Sequence, residues 1–120
     1  MILTHGGDIE IGDYCSLNPF AIIYGHGGVR IADSVRIAAH AVIIPANHIA
    51  ANDGTPLHMS GTSAKGIDIG TNVWLGSGAR ILDGVRIGMN AIVGAGSVVT
   101  RSVPEGATVA GVPARVIRQR

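Results

Sequence analysis

The chain has 120 residues, a formal net charge of +1, eighteen glycines and only 3% aromatic residues. So balanced a charge leaves no electrostatic footprint for nucleic acid or an anionic membrane, and a lone cysteine, Cys15, excludes an internal disulfide framework. No apolar run is long enough to span a bilayer and no leader-like segment opens the chain, so a single cytoplasmic domain, 1–120, is expected.

Aliphatic residues recur every six positions. The beat begins at Ile11, Leu17 and Ile23, then pauses for two extra residues in "YGHGGV". It resumes at Ile31, Ile37 and Ile43 and reaches Ile49, which is expected to fill an inward slot with His48 at the corner beside it. After Ile49 the next beat comes twenty residues later, at Ile69, across a Gly-, Ser- and Thr-rich stretch of about 50–66 that cannot lie in a regular wall. Long loops of this kind in compact domains are usually functional or disordered. From Ile69 the beat runs through Leu75, Ile81, Ile87, Val93 and Val99, and a closing segment of about 104–120 follows.

Four residues after most of these aliphatics stands a second, small or β-branched residue, such as Cys15, Ala21, Val35, Ala41, Val73, Ala79 or Ser97. Cys15 is therefore read as a packed thiol rather than a nucleophile. Six residues accommodate one short strand and one tight turn, with Gly, Asn and Asp supplying the turn conformations. Three such units make a triangular coil, and stacked coils pair as parallel strands. The fold class is all-β, a solenoid with one long excursion loop and few helical signals, because glycine at this density disfavours helix.

The blocks "IGTNVW", "LGSGAR", "ILDGVR", "IGMNAI" and "VGAGSV" resemble the hexapeptide-repeat acyltransferases. That resemblance, spanning residues 9–117, implies the left-handed parallel β-helix; the general crossover rule alone would favour the right-handed course. The segments "IIPANH", "KGIDIGTNVWLGSGARILDGVRIG" and "VGAGSVVTRSVPEGATVAGVPARVI" are similar to the sugar O-acetyltransferase branch, which includes galactoside, maltose and nodulation-factor acetyltransferases and polysaccharide-modifying relatives. What the branch implies is transfer of an acetyl group from acetyl-CoA to a sugar hydroxyl, without a metal, in a homotrimer whose sites lie between subunits.

By the same resemblance His48, just before the long loop, is the general base. Histidine suits that task because its ordinary pKa of about 6.5 lets it accept a proton near neutrality. Asn18 and His26 are implied acceptor contacts, flanking a cleft with His48. Trp74, Ser77, Ala95, Thr100 and Arg101 are implied to face the acetyl-CoA groove, with Arg115 and Arg118 approaching its phosphates, where a guanidinium fork is well matched. Relatives usually carry Lys at the place of Arg101. His40, in a hexad turn slot, is read as a surface residue and His58 in the loop as a candidate cleft lining, while His5 precedes the repeat and carries no signal. The chain enters the repeat earlier than its relatives do, and "HMSGTSAKGI" places Ser60 where polysaccharide-modifying relatives often have Gln.

Three alternatives remain. An amino-sugar N-acetyltransferase shares the scaffold, and a non-catalytic solenoid trimer would share it without the chemistry. A γ-class carbonic anhydrase requires three zinc-binding histidines, two of them close in sequence, and the spacings of His26, His40, His48 and His58 do not match.

Overall fold

In the computed structural model, which describes all 120 residues, the chain winds as the expected left-handed parallel β-helix. Its axial extents are 45 × 28 × 22 Å. Wall A stacks the strands Ile2–Leu3, Ile22–Tyr24, Val42–Ile43, Arg80–Ile81 and Val98–Val99. Wall B stacks Ile9–Ile11, Val29–Ile31, Ile67–Ile69 and Arg86–Ile87. Wall C stacks Ser16–Leu17, Arg36–Ile37, Trp74–Leu75, Ile92–Val93 and Ala107–Gly111, all parallel, and ends in the antiparallel strand Ala114–Gln119.

The register explains the six-residue beat. Ile31 sits opposite Ile69, Ile37 opposite Leu75, and Ile43 opposite Ile81, so like residues stack along the axis. Ten of the thirteen beat positions are buried. The second slot is filled as expected by Ala21, Val35, Ala41, Val73, Ala79, Val85, Ala91, Ser97 and Val103, all buried. Apart from Ser97 the interior is aliphatic; truncating a fully buried residue such as Ile81 to alanine costs about 2–5 kcal/mol. Glycine after the aliphatic is required where coils meet closely: a Cβ on Gly76 would lie 2.7 Å from the amide nitrogen of Ala95.

Three of the thirteen beat residues depart from the inward expectation. Ile11 and Leu17 are 43% and 42% exposed, because the first coil is the end of the prism and only its lower edge is covered. Cys15 is half-buried for the same reason, its thiol donating to the carbonyl of Ala32 at 3.1 Å. Ile49 is 47% exposed and occupies no wall position. Its slot in wall B is taken directly by Ile69, which pairs with Ile31, so the excursion leaves the prism one hexad earlier than the beat implies, after Ile44. Pattern alone could not place this exit, since Ile49 keeps the spacing by coincidence.

Candidate functional site

The excursion has structure of its own. Asn47–His48 pairs antiparallel with Thr62–Ser63, with His48 opposite Thr62. The amide of Ile49 donates to Gly61 O at 3.1 Å, and the Ser60 hydroxyl donates to the carbonyls of Ile49 and Leu57. A single 3-10 turn, Leu57–Met59, forms the tip with His58, and the Asp53 carboxylate caps Thr55. Its hydrogen bonds with the Thr55 side chain and amide hold the Asp53 pKa below its ordinary value. Where the chain rejoins the prism, the Asp83 carboxylate accepts from the amides of Lys65 (2.9 Å) and Gly66 (2.8 Å). His48 is thus an exposed side chain on a braced two-stranded arm, not a residue of an open coil.

The corner between walls A and B carries more than this arm. One coil above it lies His26 and two coils above it His5, and the two rings stack with centroids 4.2 Å apart and planes 12° from parallel, while Tyr24 meets both edge-on. The Nδ1 of His26 is buried without a hydrogen-bond partner. Desolvation first, and then the charge of His5, lowers the His26 pKa. His5, read from the sequence as featureless, is therefore part of the environment of His26. Thr100 and Arg101 lie on this same corner three coils below His26 and are exposed.

Asn18 lies elsewhere. It opens the corner between walls C and A, and its Nδ2 donates to Ile37 O at 2.9 Å. In one chain, then, Asn18 and His48 stand at the two opposite edges of wall A and do not flank a common cleft; one and a half coils of separation carries the chain past a corner. Below Asn18 the same corner contains Ser77, whose hydroxyl donates to Ala39 O at 3.0 Å, and Ala95. Trp74 projects from wall C, 53% exposed. Arg115 and Arg118 lie on the terminal antiparallel strand of wall C, and Arg101, Arg115 and Arg118 form no ion pair within the chain.

The outer faces of the walls differ sharply. Wall B presents the ladder Glu10, Arg30, Asp68, Arg86, joined by ion pairs at 3.1 Å (Arg30–Glu10) and 3.5 Å (Arg86–Asp68). Wall A presents Ile22, Val42, Ile44, Leu82 and Val98, all half-buried and apolar, around a single charged residue, Arg80. The main surface hollows run along wall B and the turn at its end, past Arg30, Asp68, Arg86 and Met89, and contain none of the candidate residues. No group of three or more His, Cys, Asp or Glu side chains converges as a metal site, and no helix is long and apolar enough to cross a membrane.

Comparison with known proteins accords with this fold. The family described as bacterial transferase hexapeptide (six repeats) matches residues 66–101. The galactoside O-acetyltransferase of Escherichia coli K12 is 38% identical over 117 residues, covering 97% of this chain and 56% of that protein. The structure of a maltose O-acetyltransferase from Clostridium difficile 630 superposes with a TM-score of 0.87 at 31% identity, over 99% of this chain and 66% of that one. A galactoside acetyltransferase in complex with coenzyme A gives a TM-score of 0.83 at 34% identity, over 98% and 58% respectively. The chain spans between 56% and 61% of the length of the first three curated relatives it matches.

Proposed function

The chain belongs to the hexapeptide-repeat acyltransferases, with its relatives in the sugar O-acetyltransferase branch, and from that premise we propose that it transfers an acetyl group from acetyl-CoA to a hydroxyl of a sugar or polysaccharide precursor. The observation that carries this reading is the placement of His48. A histidine whose arm is paired to Thr62–Ser63, stapled by Ser60 and tied down by Asp83 is exposed yet positioned, which is what a general base outside a core requires.

In this reaction the His48 imidazole takes the proton of the acceptor hydroxyl as its oxygen attacks the thioester carbonyl. The tetrahedral oxyanion is stabilised by preorganised donors. Its collapse expels the thiolate of CoA, which recovers the proton from the imidazolium. Such base assistance contributes about 10²–10⁴-fold. No metal takes part in this scheme.

The site is shared between copies in a homotrimer. Wall A is the apolar face, bounded by the corner bearing His48 and the corner bearing Asn18, Ser77 and Ala95. Packing copies around a threefold axis through this side sets the first corner of one copy against the second corner of its neighbour. Asn18 and His26 then contact the acceptor, and Trp74, Ser77, Ala95, Thr100 and Arg101 line the donor groove. The unpaired guanidinium groups of Arg115 and Arg118 meet its phosphates. A donor confined to the cytoplasm places the reaction there.

The test is release of free CoA thiol from acetyl-CoA by the purified protein, across a panel of hexopyranosides and amino sugars. Acceptor-dependent thiol release with hydroxyl-only sugars supports the reading. Release only with amines would replace it by N-acetylation, and none with any acceptor by a non-catalytic trimer.

A further inference from the structure

The corner between walls C and A repeats one turn in each coil, and its third residue always has positive φ. In the lower coils that residue is Gly78 (φ 71°) and Gly96 (φ 70°), the residue type that adopts this region freely. In the upper coils it is Phe20 (φ 64°) and His40 (φ 63°). A bulky residue here is strained, and such strain persists where something else selects for it. Burial is not what selects Phe20, because it is 75% exposed.

The two strained residues instead stack on each other, with ring centroids 5.1 Å apart and planes 16° from parallel. Their backbones are fixed: the amide of His40 donates to Pro19 O at 3.2 Å, and the Arg80 guanidinium donates to the carbonyls of His40 and Gly78 at 2.9 and 2.8 Å. Phe20 belongs to the same turn as Asn18, whose carbonyl accepts the amide of Ala21. The corner is therefore a rigid two-ring ledge at its upper end and a trough of small residues, Ser77–Gly78 and Ala95–Gly96, below.

We propose that the Phe20–His40 stack is a carbohydrate-binding ledge that receives the C–H face of a hexopyranose acceptor and so sets acceptor specificity. An aromatic face carries negative electrostatic potential, and the axial C–H groups of a pyranose ring carry partial positive charge beside an apolar surface. The face of the exposed Phe20 ring turned away from His40, in a chain with so few aromatics, suits that ligand class. The ledge adjoins Asn18 and heads the trough assigned to the donor, so a ring bound on it lies on the same corner as the donor groove. This inference rests on the sugar-acetylation reading for the identity of its ligand. Tyr14 supplies an internal contrast: it has the same positive φ (61°) and 83% exposure at another corner, but no ring stacks on it.

Saturation-transfer NMR with methyl β-D-galactopyranoside and methyl α-D-glucopyranoside tests it, on the wild type, Phe20→Asn, His40→Asn and Tyr14→Asn, with a thermal melt and an acetyl-CoA titration of each. Asparagine tolerates the positive φ, so all three variants are expected to fold and to melt at or above the wild-type temperature. The ledge predicts ring C–H saturation of at least one glycoside by the wild type, affinity weakened about five- to tenfold in Phe20→Asn, and a smaller loss in His40→Asn. Tyr14→Asn should bind as the wild type does, and acetyl-CoA binding should be unchanged throughout. Equal saturation in wild type and Phe20→Asn, or equal losses in Phe20→Asn and Tyr14→Asn, would overturn the ledge while leaving sugar acetylation standing. A wild type that binds acetyl-CoA and saturates neither glycoside would overturn the ledge, and acceptor-dependent thiol release then decides separately whether sugar acetylation falls with it.

Discussion

The carboxylate of Asp83 accepts hydrogen bonds from the backbone amides of both Lys65 and Gly66, at the point where the excursion bearing His48 re-enters the prism. Asp83 belongs to the ordinary turn of a later hexad, so a regular element of the scaffold holds the irregular one. The Asp83→Ala variant leaves those amides without their charged acceptor, and the fold should lose about 1–2 kcal/mol. Hydrogen exchange should accelerate between residues 45 and 66 while the coils below stay protected. Uniform exchange and an unchanged melt would show that the arm is held elsewhere.

Asn18 and His48 lie at opposite edges of wall A, so a shared site requires two copies of the chain. Asn18→Ala and His48→Ala should each be nearly inactive alone. Unfolded together and refolded as mixed oligomers, they should regain a measurable fraction of wild-type turnover, because some sites then combine an intact Asn18 with an intact His48. No recovery in a mixture shown to contain both chains would place the two residues in one subunit's site or remove Asn18 from it.

Arg101, Arg115 and Arg118 have no carboxylate partner in the chain. Charge-assisted bonds to the donor's phosphates predict that Arg101→Ala and Arg115→Ala each weaken acetyl-CoA binding about five- to fiftyfold by calorimetric titration. The loss should shrink as salt rises. Wild-type affinity in both variants would move the nucleotide end of the groove away from these residues.

His26 titrates below its ordinary value because its ring is desolvated and stacked on His5. The folded state therefore favours the neutral ring, and the unfolded chain takes up the proton first. The stability this contributes is present above the unfolded value, about 6.5, and is lost as pH falls through the lower folded one. Between about pH 7 and pH 5 the wild type should lose more melting temperature than His26→Gln does. Parallel profiles for the two would mean that the stack does not discriminate against the proton.

Much of the prism was readable because its determinants are local and repeated. A six-residue beat forces like residues into register, and Ile43 opposite Ile81 follows from counting. What could not be counted was the exit of the excursion. Ile49 preserves the spacing but has no neighbour above or below, and only pairing of Ile31 with Ile69 reveals it as surplus. The exposed state of Ile11 and Leu17 is likewise an end effect, invisible to a periodic pattern.

The candidate site was legible in composition more than in arrangement. His48 announced itself by standing before a break in the rhythm. Its supports did not: Asp83 looks like any hexad-turn aspartate, and Ser60 like any loop serine. Asn18 was picked out, but sequence distance gave no sense of which corner it would reach. Phe20 left a faint signal, an aromatic in a turn slot that the two lower coils give to glycine, and His5 left none until its ring was found against His26.

His48 is proposed above as the base of an acetyl transfer performed by this scaffold. Steady-state turnover of His48→Ala, with its acetyl-CoA affinity measured on the same preparation, tests it most directly. Turnover should fall by about 10²–10⁴-fold, with donor affinity within a factor of about two of wild type. Turnover near wild type, in a variant that binds acetyl-CoA normally, would contradict it.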